Sequence, residues 1–195
     1  MANSNCPTLL HISNEDQCQE NFAGLGSVAY IFLKDDIDKK ELKRSTDDET
    51  VFEWKENTFK SGKGFYKVEL LENSQSFTGE SQGARKGYKR TGQLIIEVVN
   101  KKVSKLCRGL NNLDYGIILG DGEEFQIMYS PNQKITRDAG AIKTETGAAA
   151  SDARQTTISP VLENLLHPNE WVTFPEGKTP DDYVMVDGAV PDDQE

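Results

Sequence analysis

His11 and His167 are the only histidines of the chain, and Cys6, Cys18 and Cys107 the only thiols. General acid–base or nucleophilic chemistry near neutral pH would draw on these side chains first. Their surroundings do not assemble it. His11 sits in an aperiodic, Asn-rich segment and His167 precedes Pro168; no GxSxG elbow or HExxH pair exists. The cysteines form no CxxC pair, so they read as reduced thiols, Cys107 buried, rather than as a zinc site or a disulfide framework. The run GDGEE at 120–124 resembles part of a calcium loop. It lacks the alternating acidic positions and the distal glutamate, and fits a hairpin turn better. SGKG and AGLG fall short of the GxxxxGK[ST] phosphate loop. With 32 acidic residues, close carboxylate pairs arise by chance. No enzyme activity, cofactor or metal is expected.

The charge balance is more telling. The 195 residues carry 22 basic and 32 acidic side chains, a formal charge of -10. Tight binding of nucleic acid needs a net basic face, because phosphate neutralisation dominates such affinity. A surface past which DNA merely slides would favour acidity. No stretch approaches the roughly 18 consecutive apolar residues of a membrane span, and MANSNCPTLLHISNEDQ lacks the basic start and apolar run of a secretory signal. A cytoplasm-like site of synthesis is the expectation.

Against this acidic background, ENSQSFTGESQGARKGYKRT at 72–91 is basic: Arg85, Lys86, Lys89 and Arg90 cluster there, with Phe77 and Tyr88 interleaved. Two strand-like runs, GFYKVELL and GQLIIEVVN, flank it. A tight hairpin needs about two to five connecting residues, so an arm of roughly twenty reads as a projection that touches a partner. Aromatic residues and arginine are enriched at interface centres. Acidic stretches at 35–38, 47–49 and the C-terminus offer a complementary surface on another copy of the same chain.

The positioning elements follow from periodicity. SVAYIFL places Val28, Tyr30 and Phe32 on one face and Ala29, Ile31 and Leu33 on the other, a strand buried on both sides. DIDKKELKRSTDDET reads as a solvated loop or a short edge helix, and VFEWK as a short half-buried strand. Tyr66, Val68 and Leu70 then alternate with Lys67 and Glu69, matched by Leu94, Ile96 and Val98, which predicts an antiparallel pair beneath the arm. In KKVSKLCRGLNNL, Val103, Leu106, Cys107 and Leu110 form the stripe of a short amphipathic helix, with Gly109 near its end and the Asn pair after it as stop signals. YGIILGDGEEFQIMY predicts a second hairpin. Residues 131–152 read as loop with one short strand, Thr156 to Ile158 as a strand limited by Pro160, and EWVTFPEG as the last strand. The sum is a mainly β domain: an antiparallel β-sandwich or barrel-like sheet with one flanking α-helix and a long projecting hairpin loop. It spans 27–175, with the assembly loop at 73–91, an N-terminal extension or arm at 1–26 and an acidic C-terminal tail at 176–195.

This order of elements resembles the bacteriophage tail-tube (major tail) proteins, which are similar to the inner-tube proteins of type VI secretion. The resemblance rests on GFYKVELL and GQLIIEVVN around the arm, the helix KVSKLCRGL and the YGIILGDGEEFQIMY hairpin, and covers roughly 25–175. It implies a virion structural protein made in the bacterial host cytoplasm, a homo-oligomer whose rings, usually of six, stack into the tail tube. DNA passes through such a tube without specific binding. Phe77, Arg85, Lys86, Tyr88, Lys89 and Arg90 would be the stacking-arm contacts, and Leu106 with Leu110 would hold the helix to its sheet. The unmapped ends leave a tail neck ring, a head-to-tail ring, a minor tail subunit or an adaptor for a different virion protein as alternatives.

Overall fold

The computed structural model describes residues 26–72, 74–83, 87–121, 124–136, 140–147 and 154–185. The N-terminal extension thus lies outside the described residues, apart from Gly26. Among the described residues, twelve strands form two sheets. The larger contains β1 (Val28–Leu33), β2 (Lys43–Arg44), β3 (Val51–Glu53), β4 (Tyr66–Glu69), β7 (Tyr115–Asp121), β8 (Glu124–Met128) and β12 (Trp171–Thr173), in the order β2-β3-β12-β8-β7-β1-β4. All its pairings are antiparallel except β12 with β3. The smaller contains β5 (Ser76–Ser81), β6 (Tyr88–Ile96), β9 (Ile142–Glu145), β10 (Gln155–Ile158) and β11 (Val161–Leu165). The protein is therefore mainly β, with two mostly antiparallel sheets and one α-helix among the described residues, as its alternation predicts.

The sheets share an apolar interior. Ala29, Ile31, Ile117 and Leu119 of the large sheet meet Leu94, Ile96, Ile158 and Leu162 of the small one. Helix α1 (Lys101–Asn112) adds Leu110, Val103 and Leu106 to this core along the predicted stripe. Asn100 caps it, its side-chain oxygen accepting from the Val103 amide at 2.8 Å. Gly109 does not stop the helix, which runs on to Asn112 and ends where the Leu113 amide donates back to the Gly109 carbonyl. Cys107 is half-buried, not buried.

The opposite face of the large sheet carries Tyr30, Phe32, Ile118, Phe125, Ile127 and Tyr129, under a cover of Trp54, Phe59, Phe65, Phe174 and Tyr183. Burial of β1 on both sides, read from its alternation, is thereby explained. The charged stretch after β1 is no solvated loop: Ile37 and Leu42 are buried in this second core, and β2 lies within it. Residues 176–185, which charge alone assigns to the tail, also belong to the cover. A short 3-10 helix, Pro180–Tyr183, leads Val184 into a bridge with Phe65.

The first predicted hairpin is corrected. β4 pairs with β1 in the large sheet, whereas β6 pairs with β5, β10 and β11 in the small one. The two runs touch through the Leu71 amide on the Ile95 carbonyl, 2.8 Å. Much of the twenty-residue arm is strand: SFTGES forms β5 and pairs with β6 from Ser76↔Gln93 to Ser81↔Tyr88. Closing a short connection costs less chain entropy than closing a long one, and a polar strand gains the same backbone hydrogen bonds as an apolar one. The strand pair ends at Ser81 and Tyr88, and beyond it the Gln82 amide donates to the Gly87 carbonyl at 2.8 Å.

Candidate functional site

The hairpin β5–β6 carries the six residues singled out by charge and aromaticity, and the fold separates them. Tyr88, Arg90, Gly92, Leu94 and Ile96 share the inward face of β6 by strict alternation. Arg90 is therefore not an arm contact. It is fully buried, with its Nη1 donating to the Ile127 carbonyl at 2.5 Å and to the Glu170 carbonyl at 3.4 Å, and its Nη2 to Gln126 Oε1 at 2.6 Å. Phe77 and Tyr88 are half-buried against the interior core, and the guanidinium of Arg90 lies 4.5 Å from the Phe77 ring centroid. Lys89 is half-buried on the opposite, outer face of β6. Arg85 and Lys86 lie outside the described residues.

Arg90 thus clamps the small sheet to β8 and to the start of β12. Burial lowers its pKa to about 10, with Glu170 pulling the other way. The cluster extends through Glu170, whose carboxylate Oε1 accepts from Arg44 Nη2 while its Oε2 is buried without a hydrogen-bond partner. Burial raises the Glu170 pKa, and Arg44, Arg90 and His167 oppose the rise. Arg44 also donates to the Glu49 carbonyl at 2.6 Å and stacks 4.5 Å over Phe52. His167 Nε2 stands 3.9 Å from Glu49 Oε1. Arg44, Gln126 and Glu170 are not singled out by the sequence reading. The available signal was Arg90 itself, whose parity with Leu94 and Ile96 points it inward, where a guanidinium requires polar partners.

A second buried cation lies on the other face. Lys34 donates to the carbonyls of Ser130, at 2.6 Å, and Gln133, and sits 5.4 Å from the Tyr129 ring. Burial pushes the lysine pKa down and that of Tyr129 up to about 12. Both basic groups donate to backbone carbonyls, Arg90 also to a side-chain amide oxygen, and so fasten backbone segments together; Arg90 Nε is buried without a hydrogen-bond partner.

Hollows mark the surface of the described residues. One of about 250 Å³ lies between Leu110, Asn111 and Tyr115 and the segment from Ile158 to Pro160. Two more, of about 270 and 490 Å³, flank β4 on either side of Lys67, the larger lined by Glu69, Glu72 and Glu97. Among the described residues no three His, Cys, Asp or Glu side chains gather as a metal would require, and no helix is long and apolar enough to cross a membrane. The chain matches no family model, no curated protein and no solved structure.

Proposed function

We propose that this chain is a virion structural protein that self-assembles into stacked rings of a phage tail tube, with the tip of the β5–β6 hairpin as its contact to a neighbouring copy. The observation that carries this reading is the contrast between the hairpin's base and its tip. Arg90, Phe77 and the backbone ladder fix the base within the domain. In the sequence, the connection between β5 and β6 carries Arg85 and Lys86 on a chain of net charge -10. Basic residues joined to an already ordered hairpin base would meet an acidic body without an ordering cost for that base, and electrostatic complementarity steers such docking. In the assembled tube DNA would pass without specific binding, and neighbouring tail or neck proteins would cap the ends.

The shortness of the connection 82–87 favours a second reading alongside the first. By chain length alone, so short a connection can reach an adjoining surface but not deep into a next ring. A neck or head-to-tail ring, or an adaptor seated on a different virion protein, needs no more than that.

Negative-stain electron microscopy of the purified chain tests both. Rings or tubes that dissociate at high salt, and are lost in Arg85→Glu with Lys86→Glu, support the tube. Stoichiometric capture of a different virion protein without self-association supports the adaptor. A monomer at high concentration, indifferent to salt and to the double substitution and without such a partner, would overturn the proposal.

A further inference from the structure

Strand β2 is the outermost strand of the large sheet and pairs only with β3, through Lys43↔Glu53 and Arg44↔Phe52. The turn that follows is held by local bonds, Ser45 amide to Val51 carbonyl at 2.7 Å and Val51 amide to Asp48 carbonyl at 3.1 Å. Three contacts tie it to the entrance to β12: the Trp171 amide on the Thr50 carbonyl at 3.0 Å, His167 facing Glu49 at 3.9 Å, and Arg44 on the Glu170 carboxylate, which is the buried one. The two partners are unequally placed. The Glu170 side chain is 1% exposed, whereas that of Arg44 is 26% exposed. Arg44 can turn out to water; Glu170 cannot.

We propose that the Arg44–Glu170 pair is an acid-released latch on the β2–β3 edge: protonation of Glu170 frees Arg44 and lets residues 43–50 open while the rest of the domain stays folded. Every charged group facing Glu170 bears on this. Arg44 reaches it from β2 and Arg90 from β6, with Gln126 of β8 sharing the Arg90 guanidinium. His167 reaches it from the β11–β12 segment and also faces Glu49 of the β2–β3 turn. Arg90 keeps its place on protonation, because the carbonyls and the amide it binds do not titrate. A protonated Glu170 no longer offers Arg44 a charge, yet it remains comfortable where it is. Burial favours its neutral form, and its Oε2 is already unpartnered. Acid therefore detaches the edge without expelling the carboxyl. A cation at His167 works the other way, stabilising ionised Glu170 and delaying release.

Hydrogen exchange followed by mass spectrometry, corrected for intrinsic rates, tests the latch on the full chain. As pH falls from about 7 toward the ordinary glutamate range near about 4, protection of amides in 43–50 should fall about tenfold while β6 and β7 keep theirs, the loss of one charged hydrogen bond. Glu170→Gln should show the low protection at both pH values, and His167→Gln should shift the fall to higher pH. Should Glu170→Gln fail to fold, Arg44→Gln carries the same expectation of weak, pH-independent protection. Unchanged protection of 43–50 across the range in the native chain, or a pH-dependent fall retained in either latch variant, overturns the inference.

Discussion

The Arg90 guanidinium stacks 4.5 Å from the ring centroid of Phe77, across a strand pair in which Phe77 faces Gly92 and Arg90 faces Gly79. Gly92 makes room for this contact: a Cβ there would stand 3.1 Å from Phe77 Cε1 and 2.8 Å from Pro160 Cγ. Two residues that look like the ends of a mobile polar arm are one packed unit at the base of a hairpin.

Arg90→Leu should destabilise the domain by about 3 kcal/mol or more, because the Ile127 and Glu170 carbonyls and Gln126 would lose a buried donor. Arg90→Lys should recover little of this, since a single ammonium cannot span the same acceptors. Urea unfolding measures both. Equal stability of native protein and Arg90→Leu would show the clamp to be dispensable.

Two glycines should respond in opposite directions to alanine. At Gly116 a Cβ would lie 2.3 Å from Phe32 Cζ within the aromatic core, so Gly116→Ala should cost about 2–3 kcal/mol. At Gly109, inside α1, nothing lies within 4 Å, and Gly109→Ala should stabilise by up to about 1 kcal/mol. Thermal melts of the two variants should move apart on either side of the native value.

Phe65 touches Trp54 and Phe59 at ring-centroid distances of 4.8 Å each and Tyr183 at 6.5 Å, so it joins the loop layer to residues 180–185. Phe65→Ala should cost about 3–5 kcal/mol and release that segment to protease, cleavage near Tyr183 preceding global unfolding. Resistance of the segment in the variant would mean that it docks by other contacts.

The pH dependence of stability should have two opposing parts. Hydrogen bonds hold the carboxyls of Asp48 and Asp182, and chiefly the Lys143 ammonium that of Glu145, below the ordinary range. The stability they add is present above the unfolded pKa, roughly 4, and is lost as pH falls through their folded values. Glu170 acts in reverse: its raised pKa means that the folded state takes up the proton first, so this group's contribution improves as pH falls through the folded value. Asp48→Asn with Asp182→Asn should flatten the acid limb of a melting-temperature profile. Glu170→Gln should remove the opposing part and leave that limb steeper.

Period-two alternation and the 3.6-residue stripe were enough to identify β1, the β7–β8 hairpin and α1 from the residues alone, because those signals depend only on near neighbours and on which side meets the core. The same alternation contained the inward direction of Arg90, masked by the charge run around it. Alternation along the chain likewise established a mainly β fold, and composition a net charge of -10. Which strands pair was another matter. Tyr66–Glu69 and Leu94 to Ile96 have matching patterns, and only the packing of two sheets assigned them to different ones. A β-ladder is made by backbone groups that every residue carries, so partner choice rests on long-range burial and loop closure, not on side-chain type. For the same reason the Arg44–Glu170–Arg90 cluster, drawn from β2, β6 and the entrance to β12, exists only once the tertiary structure brings those distant segments together.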